Sequence, residues 1–349
     1  MEYPKFKVCV RCFTFNQAKY IEDALNGFAM QKTDFPFVCC IVDDASTDGE
    51  QEVIKKYMNM HFDYSPNSVS FDKETDYAYI HYAQHKENKN CHFAVLFLKE
   101  NLYSKNEGNK KFDYVSEWRK KCEYEAFCEG DDYWINPDKL HKQVKYMDEN
   151  PDCGLTYSYF GTKDEISGNV IENAPLNNSK KYPMVYSKID DFIVSKGYVA
   201  PPTWIYRLDL FDTFQMIPYS NDGTFCMFCH FFSNSKVFCF KDVFAIYRLL
   251  PESACHSKNP QSIYIRDKNI LETQIGLIKR YKLSHYLIEL CISNYYSMSL
   301  PFFIANGFVD EIVKANEVIY NKSLRDIVMI LLSKTKVGSW LVKFLYKYK

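Results

Sequence analysis

The sequence has no long uninterrupted apolar run, and its N-terminus, Met-Glu-Tyr-Pro-Lys, has no apolar signal segment. A helix that spans a bilayer needs about 20 predominantly apolar residues, and a secretory signal needs an apolar stretch near its start. We therefore expect a soluble protein located in the cytoplasm. Peripheral association with the inner face of the cell membrane stays open because of the C-terminal tail.

Net charge is also nearly absent, because 43 Lys and Arg residues offset 44 Asp and Glu residues to give −1, with both signs interspersed. Without a basic surplus, the charge does not favour nucleic acid as a partner. A disulfide framework is not expected either, since the 13 cysteines are an odd number and many lie inside apolar runs. Such cysteines are typical of buried, reduced thiols.

Three common cofactor and metal motifs are missing: G-x-G-x-x-G, the P-loop and H-E-x-x-H. Their absence argues against Rossmann dehydrogenases, Walker NTPases and zincins. One Cys-x-x-Cys-His pattern, at Cys226, Cys229 and His230, matches a haem-attachment motif. That chemistry belongs to exported proteins, and no second ligand pair stands at zinc-finger spacing. We interpret these cysteines as buried thiols.

The first part of the chain alternates strand and helix patterns. Residues 6–13 alternate apolar and polar, residues 17–31 place apolar side chains at helical spacing, and residues 37–42 form a continuous apolar run. A continuous run is typical of a strand buried on both faces of a mostly parallel sheet. The order predicts an α/β, Rossmann-like fold with ligands beyond the carboxyl ends of the strands.

The remaining elements are predicted as follows: strands at 94–98, 124–128, 155–160 and 202–207, two short strands within 237–248, helices at 111–122, from Pro137 to Pro151 and at 187–195, and helices from about 262 onward. Residues 61–93 have no assignable pattern. A chain of 349 residues suits a catalytic domain and an accessory region. We place the catalytic domain at 1–257 and a helical accessory region at 258–349.

Two pairs of adjacent carboxylates end strand-like runs, Asp43-Asp44 and Asp131-Asp132. Neighbouring carboxylates at the end of a buried strand are costly unless a cation lies beside them. Mg²⁺ is usually held by one or two carboxylates together with substrate phosphates. We infer that both pairs face one nucleotide-diphosphate site. The alternatives are that the first pair caps the next helix and that the second forms a solvated turn.

The ordered set of motifs resembles the family-2 glycosyltransferases, which have the GT-A fold, of the type that builds bacterial surface polysaccharide or lipopolysaccharide. The matching segments are Phe13-Thr14-Phe15-Asn16, Val42 to Gly49, Glu129 to Trp134 with its following Asn-Pro, Asn221-Asp222, and Asp242 to Arg248. The resemblance covers roughly residues 5–257. It implies a mostly parallel mixed sheet flanked by helices. Each motif alone is unspecific, so their order carries the resemblance.

The resemblance also implies roles on the donor side of the site. Asp44 is expected to bind uracil or another base, and Phe13 and Phe15 to line the base and ribose pocket. Asp131 and Asp132 match the DXD motif: Asp132 is expected to contact a divalent metal, Mn²⁺ or Mg²⁺, and Asp131 the ribose or the metal. A bound cation stabilises the charge that develops on a leaving diphosphate.

On the acceptor side, the resemblance assigns Asp222 as the catalytic base that deprotonates the acceptor hydroxyl. A carboxylate at a helix N-terminus is held ionised by the helix dipole, although Asp222-Gly223 is also an ordinary turn and cap signal. One base and direct displacement imply inversion at the anomeric carbon. Arg248 is expected either to contact the diphosphate or to pair with a carboxylate.

Taken together, the resemblance implies an inverting, metal-dependent hexosyltransferase. It would transfer a sugar from a nucleotide-diphospho-sugar, with a UDP-sugar favoured, to a hydroxyl of a glycan or a lipid-linked acceptor. No Q-x-x-R-W motif is present, so a single-addition enzyme is expected rather than a processive synthase. The alternative is a nucleotide-sugar-binding pseudoenzyme that acts as an interaction protein.

The sequence departs from the family at Arg11 and Cys12, where many members have small or apolar residues. The usual Arg-Asn segment before the metal motif is also absent; the nearby polar candidates are Asn101, Lys105, Asn109 and Lys110.

The C-terminal tail allows two interpretations. Its apolar residues could pack a helical accessory region. Alternatively, the basic amphipathic helix Lys334–Lys349, with Trp340 and Phe344, could lie on an anionic membrane surface, which would suit a lipid-linked acceptor.

Overall fold

The computed structural model describes residues 4–179, 185–250 and 259–346, and the chain divides into two units. The first unit comprises the described residues within 1–185, 198–214 and 230–253. The second comprises those within 186–197, 215–229 and 254–349. The boundary predicted between residues 257 and 258 lies outside the described residues.

A mixed sheet of 12 described strands forms the first unit. The strands are β1 (Val8–Thr14), β2 (Phe37–Asp43), β3 (Phe62–Asp63), β4 (Phe71–Glu74), β5 (Ala78–His85), β6 (Cys91–Leu98), β7 (Tyr124–Phe127), β8 (Tyr133–Trp134), β9 (Cys153–Asp164), β10 (Val170–Ile171), β11 (Ile205–Arg207) and β12 (Lys236–Leu249). Their order is β3-β5-β6-β2-β1-β7-β11-β9-β12-β8, with β4 paired to β5 and β10 to β9.

The centre of the sheet is parallel. Strands β6, β2, β1 and β7 run side by side in the same direction. Every residue of β2 is buried. Phe37, Cys39 and Ile41 face one core cluster, whereas the intervening Val38, Cys40 and Val42 face another. This confirms the prediction that the apolar run is a strand covered on both faces.

Fourteen described helices accompany the sheet. They are α1 (Ile21–Ala29), α2 (Glu50–His61), α3 (Lys110–Tyr114), α4 (Ser116–Arg119), α5 (Lys139–Glu149), α6 (Ala174–Asn177), α7 (Ile189–Val194), α8 (Leu208–Phe211), α9 (Gly223–Asn234), α10 (Pro260–Arg280), α11 (Tyr286–Asn306), α12 (Val309–Val318), α13 (Leu324–Ser333) and α14 (Lys336–Tyr346). A 3₁₀ turn covers Pro201–Thr203. Helices α1, α2 and α5 bury their apolar faces against one side of the sheet, and Trp118 of α4 packs on the other.

Three details of the prediction need correction. Residues 61–93, left unassigned, form β3, β4, β5 and the start of β6, which extend the sheet with antiparallel pairs. The two short strands expected within 237–248 are one strand, β12, which stays paired to β9 through register shifts near Phe240 and Val243. The helix expected at 111–122 is divided into α3 and α4.

Helices make up the second unit. A core cluster of buried residues, including Leu300, Phe303 and Val342, joins α11 to the helices that follow it. Helix α11 ends at Gly307, whose φ of 75° lies in the left-handed region that glycine tolerates. Among the described residues, no helix combines the length and the apolar character needed to cross a membrane.

Candidate active site

The candidate site lies at the carboxyl ends of three adjacent parallel strands. Strands β2, β1 and β7 are neighbours, and Thr14 at the end of β1 is paired with Asp43 at the end of β2. The turn from Glu129 to Asp132 follows β7 directly. The fold therefore brings the two acidic pairs of the sequence to one edge of the sheet, where α/β folds bind ligands.

Asp44 lies under the loop that follows β6. The residue is fully buried, and its carboxylate accepts hydrogen bonds from the backbone N–H of Leu102 at 2.8 Å and of Tyr103 at 3.1 Å. The ammonium of Lys111 lies 2.7 Å from Oδ2. Both oxygens of Asp44 thus have strong partners in the protein, so a nucleotide base would compete with them.

Asp43 has an oxygen without a partner. Its Oδ2 accepts from the backbone N–H of Ser46 at 3.2 Å and from Gln51 Nε2 at 2.6 Å, so the side chain caps the turn as the capping alternative expected. Its Oδ1 is buried and has no hydrogen-bond donor among the described residues. Burial raises the pKa of the Asp43 carboxyl group. An acceptor buried without a donor is costly, and a ligand N–H that reached Oδ1 as the turn opens would satisfy it.

The two phenylalanines expected to line the base pocket follow each other on β1 and its loop. Phe13 is half-buried, packs edge-on against Phe112 at 5.4 Å and lies beneath the cations of Arg11 and Lys111 at 5.0 and 5.6 Å. Phe15 is 43% exposed. Phe15 follows Thr14, which is paired with Asp43, so its exposed ring provides an apolar surface at the ends of β1 and β2 on which a base can stack.

Gly130 is required by a close approach between two turns. A Cβ atom at this position would overlap the hydroxyl of Thr14, lie 2.5 Å from Gln17 Oε1 and lie 2.8 Å from Ile21 Cδ1. The turn after β7 therefore packs directly on the loop after β1. The loop after β1 is held by buried Glu50, which accepts hydrogen bonds from the Gln17 N–H at 2.8 Å and from the Thr14 hydroxyl.

Three carboxylates stand within four residues of the turn after β7. Asp132 is buried, Asp131 is half-buried and Glu129 is exposed. In the described part of the chain, no Lys, Arg or His nitrogen forms an ion pair with any of them. Desolvation by the surrounding protein raises the pKa of Asp131 and Asp132, and the charge of Asp131 raises that of Asp132 further. The cluster therefore favours a cation beside it.

Arg248 holds this turn in place. Its guanidinium is buried, with Nε donating to Glu165 Oε1 at 2.9 Å, one terminal nitrogen to the backbone O of Asp131 at 2.6 Å, and the other paired with Asp23. Its backbone N–H donates to Asp132 Oδ1 at 2.8 Å. Of the two roles expected for Arg248, the structure contains the carboxylate pairing; contact with a diphosphate would require these bonds to break.

The donor set suits a divalent cation that also binds a diphosphate. Asp131 and Glu129 present the accessible carboxylates, whereas Asp132 is 5% exposed and already accepts from Arg248. The described residues contain no group of three or more Asp, Glu, His or Cys side chains arranged to hold a metal by themselves. Substrate phosphates would have to complete the coordination, which is the usual arrangement for Mg²⁺.

Asp222, the expected base, belongs to the second unit. It is half-buried, and its Oδ1 accepts from the backbone N–H of Phe225 at 2.9 Å and from the Thr224 hydroxyl at 3.0 Å. Asp222 therefore caps α9. The N-terminus of a 12-residue helix is a favourable place for a negatively charged side chain.

The Cys-x-x-Cys-His pattern lies on α9, and its cysteines face the protein interior. Cys226 and Cys229 are buried, and burial raises the pKa of both thiols. His230 Nε2 lies 3.1 Å from the carbonyl oxygen of Leu210. The interpretation as buried thiols is confirmed.

Three residues of the site were missed from the sequence. Glu129 begins the Glu129 to Trp134 segment, and its position two residues before Asp131 indicates a third carboxylate at the turn. Lys111 and Glu50 gave no signal, because their partners Asp44 and Thr14 are distant in the chain.

Part of the chain matches a known family. Residues 10–101 match the model described as Glycosyl transferase family 2. The curated relatives include uncharacterized proteins of Mycobacterium tuberculosis and Mycobacterium bovis. Each is 37% identical over 194 residues, which cover 56% of this chain and 45% of the relative. The chain thus spans less than half of the length of these relatives.

Two solved structures resemble nearly the whole chain in fold. S. aureus TarS 1–349 in complex with UDP-GlcNAc superposes with a TM-score of 0.54 at 17% identity, covering 98% of this chain and 92% of that one. Mannosyltransferase PcManGT from Pyrobaculum calidifontis in complex with GDP-Man and Mn²⁺ gives 0.52 at 13% identity, covering 99% and 85%. At such identities the likeness concerns the fold. The chain has an α/β GT-A fold, with a mixed sheet flanked by helices and a helical C-terminal region.

Proposed function

We propose that this protein is an inverting, metal-dependent glycosyltransferase. It moves a sugar from a nucleotide-diphospho-sugar, preferably a UDP-sugar, to a hydroxyl of a glycan or lipid-linked acceptor in surface-polysaccharide synthesis. The observation that carries the proposal is the set of Glu129, Asp131 and Asp132, which has no ion-pair partner among the described residues and lies at the strand edge beside Asp43. The GT-A fold of the chain supports the same assignment.

The donor base and ribose bind at the ends of β1 and β2 in this proposal. Phe13 and Phe15 form the apolar walls, and Asp43 and Asp44 provide the acceptors. Since the oxygens of Asp44 are engaged by the loop after β6, the unpartnered Oδ1 of Asp43 is the oxygen that takes the base N–H. The role expected for Asp44 thereby becomes that of positioning the pocket wall.

The diphosphate binds beside the turn after β7. Asp131 and Glu129 would hold the divalent cation, Mn²⁺ or Mg²⁺, through their accessible oxygens. Asp132, which the resemblance assigned to the metal, is 5% exposed and bonded to the backbone N–H of Arg248, so in this proposal it supports the turn from behind. When bound, the cation stabilises the charge on the leaving diphosphate. Arg248 keeps the turn in position through the backbone O of Asp131 and the carboxylate of Asp132.

Asp222 serves as the general base toward the acceptor. Within the described residues, the hydrogen bonds of this carboxylate run through Oδ1, so Oδ2 is the oxygen that takes the proton of the acceptor hydroxyl. General-base assistance of this kind is typically worth about 10²–10⁴-fold in rate. A single base and direct attack give inversion at the anomeric carbon.

A thermal-shift titration tests the donor side. We expect a UDP-sugar with Mn²⁺ to raise the unfolding temperature, since a ligand that binds only the folded state stabilises it by mass action. GDP- and dTDP-sugars serve as competitors, and Asp131→Asn is expected to remove the metal-dependent part. If no sugar nucleotide shifts the transition with or without Mn²⁺, the proposal fails.

Asp222→Asn tests the reaction itself. The amide keeps the cap on α9 but cannot take a proton. We expect transfer to fall at least about 10²-fold while the donor-induced thermal shift is retained. If the unsubstituted protein binds donor but transfers sugar to no acceptor, the chain is a nucleotide-sugar-binding pseudoenzyme instead.

A further inference from the structure

The last two helices of the described chain each expose one apolar face. The exposed residues are Leu324, Ile327, Val328 and Leu331 on α13, and Val337, Trp340, Leu341, Phe344 and Leu345 on α14. Both sets follow the i, i+3, i+4, i+7 spacing that places side chains on one side of a helix. We call them together the C-terminal apolar surface.

The opposite sides of the same helices anchor them in the fold. Ile330 of α13 and Val342 of α14 are 7% and 2% exposed and belong to the core cluster of the second unit. The cap of α13 is complete, with Ser323 and Asp326 bonded reciprocally. The C-terminal apolar surface is therefore the outer side of packed helices, and exposed apolar side chains grouped on helix faces are typical of interaction sites.

Basic residues accompany this surface. Residues 322–349 contain seven Lys or Arg residues and one acidic residue, Asp326. Asp326 is buried and accepts from Ser297 and Ser323. The exposed charges on or between the two helices are thus all positive; they are Arg325, Lys334, Lys336 and Lys343.

The arrangement on α14 suits a lipid interface. Trp340 is 63% exposed and stacks on Phe344 with ring centroids 5.7 Å apart. Lys336 and Lys343 stand at one edge of the apolar face, where long side chains can extend toward headgroups. Exposed Trp beside Lys on an amphipathic helix is typical of helices that lie in the plane of a membrane surface.

We propose that the C-terminal apolar surface binds an anionic lipid bilayer, with α13 and α14 lying in its interface. The positive charges favour a lipid bilayer over a second copy of this chain as the occupant. A second copy would bring like charges together around a shared apolar contact, whereas anionic headgroups pair with them. The proposal does not depend on sugar transfer, because lipid binding is measured without donor or acceptor.

The tryptophans provide a specific probe. Trp118, Trp134 and Trp204 are 1%, 2% and 1% exposed, so Trp340 alone among the four is open to solvent. Mixing the full chain with vesicles of equal phosphatidylcholine and phosphatidylglycerol should shift the Trp emission to shorter wavelength and allow quenching by brominated lipid. Trp340→Phe should remove the shift while vesicle co-sedimentation persists.

Matched variants separate the two contributions. Leu341→Ser with Phe344→Ser should abolish co-sedimentation at all compositions. Lys336→Gln and Lys343→Gln should each weaken binding to the anionic vesicles by roughly fivefold. Tyr103→Ser, which changes a residue that is 77% exposed outside this surface, should leave binding unchanged.

Three results would overturn the proposal. The first is no co-sedimentation of the unsubstituted chain with anionic vesicles at low salt. The second is equal binding to pure phosphatidylcholine vesicles, which would remove the role of charge. The third is a concentration-dependent dimer that the Leu341→Ser and Phe344→Ser pair dissociates, which would assign the surface to a second copy.

Discussion

The backbone N–H of Arg248 donates to Oδ1 of Asp132 across 2.8 Å, although 116 positions separate the two residues in the chain. This bond joins the end of β12 to the turn after β7. The guanidinium of the same residue reaches the backbone O of Asp131 at 2.6 Å. One arginine therefore contacts both members of the acidic pair without neutralising the accessible carboxylate of Asp131.

Replacing Arg248 should destabilise the protein and weaken donor binding together. In Arg248→Met, Glu165 keeps Lys163 but loses its buried cation, and the backbone O of Asp131 loses a donor, so we expect the unfolding free energy to fall by about 1–3 kcal/mol. The turn that carries Asp131 also loses a support. Denaturant unfolding and donor titration with Mn²⁺ measure the two effects.

The matched control for Arg248 is Lys163→Gln. Lys163 pairs with the same Glu165 at 2.9 Å, but its side chain is 32% exposed. An exposed pair is worth at most about 1 kcal/mol, so stability and donor affinity should change little. Equal losses in the two variants would contradict a special role for Arg248.

Asp43 and Asp44 should respond differently to the same substitution. In Asp43→Asn, the amide oxygen must take the place of Oδ2, which accepts from Ser46 and Gln51. The amide NH₂ group then takes the place of the unpartnered Oδ1. A base N–H would then meet a donor, and donor affinity should fall roughly 10- to 100-fold with little loss of stability. Calorimetric titration with a UDP-sugar checks this.

Asp44→Asn should act mainly on stability. Lys111, whose side chain is 9% exposed, would lose its carboxylate, at a cost of about 3 kcal/mol or more. Asp34→Asn, on an exposed residue, is the neutral control. If Asp43→Asn binds donor as well as the unsubstituted protein does, the base does not use Oδ1 of Asp43.

Gly130→Ala should displace the turn after β7. The added methyl group would overlap the Thr14 hydroxyl and lie 2.5 Å from Gln17 Oε1, so one of the two loops must move. Overpacking of this kind costs about 1–3 kcal/mol. We expect weaker metal-dependent donor binding in the thermal-shift titration. Gly108→Ala is the control, because no atom beyond its chain neighbours lies within 4 Å of the added methyl group. An equal effect of Gly108→Ala would argue against a steric cause.

The sequence was sufficient for the features that depend on local pattern. The continuous apolar run of β2 predicted a strand buried on both faces, and the motif order predicted the GT-A fold. The sequence was insufficient to predict strands that lack a hydrophobic pattern. Strand β4 has the sequence Phe-Asp-Lys-Glu and is largely exposed, so neither hydrophobic alternation nor an apolar run indicated it.

Side-chain pairings were beyond the sequence for a different reason. Arg11 stood out only as a departure from the family, and the structure buries it against Glu125 at 2.9 Å, with Arg119 on the other carboxylate oxygen. Those contacts join β1, β7 and α4, and only tertiary packing determines them. For the same reason the sequence left two roles open for Arg248, and the structure contains one of them.

Lys139 should make stability depend on pH. The residue is fully buried at the start of α5, its ammonium lies 4.3 Å from the centre of the Trp134 ring, and Nζ is 3.4 Å from the carbonyl oxygen of Trp204. Burial lowers its pKa from 10.5 to about 7. The unfolded chain therefore binds more protons than the folded chain between these values, and stability should rise as pH increases through that window.

Lys139→Met isolates this effect. Replacing a buried charge by an apolar side chain of similar size is often stabilising by about 1–4 kcal/mol. We expect the variant to have the higher unfolding free energy below pH 7 and the advantage to shrink between pH 7 and about 10.4, where the unfolded lysine loses its proton. Urea unfolding at pH 6, 8 and 9.5 measures this difference in unfolding free energy.

The control is Lys142→Met, on the same helix. The Lys142 side chain is 40% exposed and paired with Asp242 at 2.7 Å, so the difference in unfolding free energy between this variant and the unsubstituted protein should not shrink with pH. A difference between Lys139→Met and the unsubstituted protein that stays constant across this range would show that Lys139 keeps an ordinary pKa in the folded state.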